Sequence, residues 1–96
     1  MPHYFLKLNP CRPTFSTDMT DEERAIMQQH IVYWGGLMDK GLVVVFGPVF
    51  DPKGAYGMGV VEVEDEEQLH QLTSNDPAAS INNYEHWPMR AITPKK

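Results

Sequence analysis

The chain is short of the residue types that several common functions require. A single cysteine, Cys11, in 96 residues rules out an internal disulfide and fits a reducing compartment. Basic side chains are scarce: 8 Lys and Arg stand against 13 Asp and Glu, a formal charge of −5. They do not cluster beyond Lys95 and Lys96, so there is no electrostatic footprint for nucleic acid. No apolar run approaches the roughly 20 residues of a membrane span. No basic-then-apolar signal opens the chain either, and the expectation is a cytoplasmic protein with no membrane partner. The four histidines, His3, His30, His70 and His86, show no HxxxH or HExxH spacing, so no metal site is expected. No Gly-Lys-Ser/Thr follows Gly54, Gly57 and Gly59, and the next helix opens with acids, which disfavours a phosphate loop and a nucleotide. Neither a cofactor nor a metal is therefore expected. Repeats, low-complexity stretches and linkers are also missing, leaving residues 1–96 as one domain. A chain this short buries only roughly 60 to 65% of its unfolded surface, so a homodimer would add burial that it needs.

What is present centres on Thr20 to Gly41. Thr20 and Glu23 have the spacing of a capping box, and Asp21, Glu22 and Glu23 put negative charge at the positive end of the helix dipole. Lys40 suits the carbonyl end, and Gly41 can turn left-handed to stop the helix. At about 100° per residue, Ile26, Met27, Tyr33, Trp34, Leu37 and Met38 gather around His30, which lies at the centre of the apolar stripe. Such a histidine is either a core residue with one hydrogen bond or a group set up for proton transfer. Tyr33 and Trp34 carry the same ambiguity between core and pocket wall. Gly35 and Gly36 fall on the opposite face, where close packing or a bend would explain them.

Residues His3 to Leu8 alternate as a half-buried strand, with Tyr4, Leu6 and Leu8 on one face and Phe5 and Lys7 on the other. Pro10 to Asp18 is expected to be a loop. Val43 to Phe46 is apolar on both parities, as in a strand covered on both faces, and Gly47-Pro48 should end or kink it. Asp51-Pro52-Lys53-Gly54 has the residues of a hairpin turn. The next strand, from about Ala55 to Glu64, sets Gly57, Gly59, Val61 and Val63 on one face, small enough for a helix to approach. Asp65 with Gln68 then caps a second, short helix anchored by Leu69 and Leu72; His70 on it should face solvent, and His86 further on could face either way. Asn75-Asp76-Pro77 must leave that helix, because a residue before proline is pushed out of the α region. A last strand over Tyr84 to Ile92 is interrupted at Pro88, which makes it an edge or bulged strand. The order β, α, β, β, α, β is an α+β, ferredoxin-like arrangement: a four-stranded antiparallel sheet with both helices on one face. Its open face, with Met58, Val60 and the Val43 to Phe46 run, has apolar surface for a second sheet, and a dimer closing a shared barrel would cover it.

The run R-P-x-F at Arg12 to Phe15, M-T-D-E-E at the helix opening, H-x-x-Y-W at His30 to Trp34, then Gly41, F-G-P-V, D-P-x-G, Asn75-Asp76-Pro77 and Pro88-Met89 resemble the YCII-related family of dimeric α/β barrels. The resemblance extends over nearly the whole chain and resides in the ordered set of motifs. It implies the fold derived above, a homodimer, and an active site pairing His30 with Asp76. The wider superfamily includes muconolactone isomerase, dehydrochlorinases and cofactor-free monooxygenases, so by analogy it implies proton chemistry on a small cyclic or aromatic substrate. Read from its residues alone, Asp76 could instead cap a turn through Pro77 to Ile81. Arg12, the only arginine in the loop before the helix, could hold an anionic substrate or simply lie on the surface. Two function classes follow: a cofactor-independent lyase, dehydrochlorinase or isomerase using His30 and Asp76, and a non-catalytic small-ligand-binding or accessory domain.

Overall fold

The computed structural model describes residues 1–94; Lys95 and Lys96 lie outside the described residues. Strands β1 (His3–Asn9), β2 (Val43–Val49), β3 (Tyr56–Glu62) and β4 (Asn83–Met89) form one antiparallel sheet in the order β2-β3-β1-β4. A short turn of helix, α1 (Phe15–Asp18), precedes the long α2 (Asp21–Asp39), and α3 (Glu66–Ser74) follows β3. A 3-10 turn at Pro77–Ser80 leads into β4. This is the ferredoxin-like α+β fold.

One face of the sheet makes the core. Tyr4 and Leu6 from β1, Val43 from β2 and Val61 from β3, with Val63 just beyond it, pack against Trp34 and Leu37 of α2 and Leu69 and Leu72 of α3. Gly59 lets α2 approach: a Cβ there would stand 3.5 Å from the Trp34 ring, already in contact. The helix ends are those the sequence specifies. Thr20 accepts the Glu23 amide while the Glu23 carboxylate accepts the Thr20 amide, and Gly41 turns left-handed at φ +81°. Asp65 caps α3 through the Gln68 amide. In the hairpin, Gly54 donates to the Asp51 carbonyl at 2.9 Å and takes φ +138°.

Several local expectations are corrected. Pro10 to Asp18 is not wholly loop, because Phe15 buries its ring and one helical turn forms around it. Strand β2 runs through Gly47-Pro48 to Val49, since it is an edge strand on which a missing N–H goes unmissed. A bulge between Val43 and Val45 reorients that strand, leaving Val45 46% exposed on the open face, so the run is not covered on both sides within the protomer. Val60 shares that face but is only 8% exposed, lying between Phe5 and Val45 on the flanking strands. Met38, expected in the stripe, lies at its exposed margin. Nothing comes within 4 Å of where a side chain would project at Gly35 or Gly36, and α2 continues without a break. Strand β4 ends at Met89 rather than Ile92, and it is an edge strand that carries Pro88 opposite Tyr4.

Candidate functional site

Helix α2 delivers His30 and, one turn on, Trp34 to the same side, while the end of α3 delivers Asp76. Pro77 forces Asp76 into an extended conformation, φ −70° and ψ 128°, so its side chain leaves the helix axis and meets α2. His30 Nδ1 lies 2.7 Å from Asp76 Oδ2, and Trp34 Nε1 donates to the same oxygen at 2.8 Å. The Tyr84 hydroxyl, at the start of β4, also donates to Oδ2, and Trp34 Nε1 lies 3.1 Å from the Tyr84 oxygen. Asp76 Oδ1 accepts the Ala78 amide at 2.9 Å and caps the 3-10 turn. The two readings of Asp76 are thus compatible: one oxygen caps the turn and the other meets His30.

Electrostatics follow from that geometry. Burial by itself would push the Asp76 carboxyl up, but the hydrogen bonds from His30, Tyr84, Ala78 and Trp34 outweigh it and hold the group below the usual carboxylate range. Asp76 is therefore ionised at neutral pH. The tautomer of His30 that suits this acceptor carries its proton on Nδ1, which leaves Nε2 with a free lone pair and no hydrogen-bond partner among the described residues. Burial, then the neighbouring Asp76 carboxylate, push the Tyr84 phenol well above its ordinary value, so Tyr84 stays protonated and acts as a donor. Tyr33 is shifted upward by the same two causes.

A cavity of about 250 Å³ opens beside the cluster. His30, Trp34 and Tyr84 form part of its wall, and Leu8, Phe15, Met27 and Phe46 supply apolar surface. Gly57 and Gly59 give it a stretch of bare backbone.

Of the residues singled out from the sequence, His30, Asp76 and Trp34 come together. Tyr33 does not line the cavity; its hydroxyl donates to the Leu72 carbonyl at 2.6 Å and ties α2 to α3. Arg12 is also outside it. Its guanidinium donates to Asp18 Oδ1 at 2.8 Å and to both Glu23 oxygens at 2.9 and 2.8 Å. That fork is fully engaged in tying α1 to the start of α2. The Arg12 contact, followed by the Thr20 amide, lowers the Glu23 carboxyl to about 2. His70 is exposed, and His86 faces Glu66 at 3.8 Å, away from the site. Among the described residues no group of three or more His, Cys, Asp or Glu could hold a metal ion.

Tyr84 is the site residue that sequence reasoning missed. The sequence marks it only as the start of a strand; the register that sets it opposite Leu8, on the helix-covered face, is a long-range fact. Alternation from Pro88, through His86, would have placed it on one face of β4, but not which face.

The model of the YCII-related domain matches residues 4–93, and the chain belongs to that family. Among solved structures it is similar to the 5-chloro-2-hydroxyhydroquinone dehydrochlorinase TftG from Burkholderia phenoliruptrix AC1100, determined in complex with 2,5-dihydroxybenzoquinone. The TM-score is 0.59 at 23% identity, over 88% of this chain and 92% of that one, a likeness of fold. No curated protein matches the chain in sequence.

Proposed function

We propose that the protein is a small enzyme in which His30, oriented by Asp76, moves a proton on a single-ring substrate held in the adjoining cavity. The observation that carries this reading is the 2.7 Å contact between His30 Nδ1 and an ionised carboxylate at the wall of an apolar cavity. The carboxylate fixes the tautomer and balances the charge the imidazole gains, while Nε2 takes the proton. The electron pair left on the substrate then moves into the ring system. Return of the proton to another atom gives an isomer; departure of an anion from the neighbouring carbon gives an elimination. Neither outcome changes the redox state of the protein, so an imidazole and a carboxylate suffice. The dehydrochlorinase activity named for the structural neighbour is an elimination of the second kind. The protein is further proposed to act as a homodimer, the open sheet face with Val45, Trp87 and Met89 being covered by its counterpart.

Deuterium exchange tests the reading. In D2O the protein should exchange the α C–H of an uncharged single-ring ketone such as 4-hydroxycyclohexanone faster than buffer does, and His30→Gln should abolish the excess. Nitrogen-15 NMR at pH 8 should show His30 protonated on Nδ1, with Asp76→Asn weakening that preference. Ring compounds that bind without exchange, with the proton on Nε2, would make the protein a ligand-binding module instead.

A further inference from the structure

Charge around the cavity bears on the class of ligand it takes, a question that rests on the proton-transfer reading above only for what happens after binding. An apolar cavity of about 150 Å³ holds benzene, so the 250 Å³ here suits one six-membered ring with a few substituents. No Lys or Arg lines it among the described residues. Arg12, the basic residue in the loop beside it, is spent on Asp18 and Glu23, and both carboxyls are held low: Asp18 through Thr14 and then Arg12, Glu23 through Arg12 and then Thr20. That ion-pair cluster stays charged and closed at neutral pH. The ionised group beside His30 is Asp76, an anion that receives donors but no lysine or arginine.

A carboxylate placed in the cavity would lose its hydration against apolar walls and beside the Asp76 anion, with no lysine or arginine on the wall to pair it.

We infer that the cavity takes uncharged single-ring compounds and discriminates against their carboxylate counterparts. Benzamide and benzoate are matched in shape and differ in charge, which makes them suitable probes. At pH 7, titration of the folded protein by proton–nitrogen correlation NMR should move the Trp34 indole N–H and the Gly57 and Gly59 amides with benzamide. Benzoate should bind at least about tenfold more weakly, because an unpaired anion is costly to desolvate. His30→Gln should retain the preference while losing deuterium exchange, so a failure of charge discrimination is distinguishable from a failure of the proton-transfer reading. Benzoate binding as tightly as benzamide, or neither compound shifting these signals at 10 mM (about the weakest affinity worth calling a site), overturns the inference.

Discussion

The Asp76 carboxylate is 3% exposed and receives donors from Ala78 on Oδ1 and from His30, Trp34 and Tyr84 on Oδ2. Because its carboxyl titrates lower in the folded protein than in the unfolded chain, its ionic contribution to stability is complete above the ordinary aspartate range. That contribution is lost as pH falls through the folded-state value. Asp76→Asn should therefore destabilise the protein at pH 7 by about 1–3 kcal/mol, the usual cost of leaving buried donors poorly paired. The gap between variant and wild type should close in acid. Chemical denaturation at a series of pH values reads both effects; a gap independent of pH would mean that the loss is steric. At this scale the sequence was informative about His30 and Asp76 individually, since a stripe centre and an X-Pro position are local patterns. Tyr84 was silent because its role depends on a partner 8 residues away across a strand boundary.

Helix α2 is the element on which the site depends, since it carries His30 and Trp34 and contacts the 3-10 turn that follows Asp76. Its first turn is fixed twice over, by the Thr20 and Glu23 capping box and by the Arg12 fork on Glu23. Removing the hydroxyl in Thr20→Ala should cost about 1 kcal/mol, visible as a lower thermal midpoint, with the His30 and Asp76 signals unmoved because the defect lies more than two turns away. A change at the Trp34 indole would show instead that the helix start positions the site. The caps, the hairpin turn and both helices were legible because each is written within four residues. Edge strands were less so: Pro48 and Pro88 look like breaks until the sheet order shows that their missing N–H groups fall on outer strands.

The whole molecule leaves Val45, Trp87 and Met89 exposed on the face of the sheet away from the helices, beside Phe5, whose ring lies 5.9 Å from that of Trp87. A single protomer of 96 residues gains from covering such a face. Light scattering at micromolar concentration should give about twice the 11.0 kDa chain mass. Trp87→Lys, which places a charge on that face, should shift the species to 11.0 kDa without loss of secondary structure. A wild-type protein that runs as a monomer would remove the shared barrel.

By itself the sequence determined the order of elements, the inward faces of β1 and β3, the caps and the family, because periodicity, capping and turn chemistry act over a few neighbouring residues. Through the resemblance to that family it also pointed to His30 and Asp76 as a pair. Only the tertiary structure decided that Asp76 serves both a turn and the imidazole, that Tyr84 joins them, and that Arg12 forks onto Asp18 and Glu23. Those are statements about strand register and about competition among carboxylates for one guanidinium. Both are settled by which distant groups packing brings within hydrogen-bond reach, a quantity that no local pattern of residues contains.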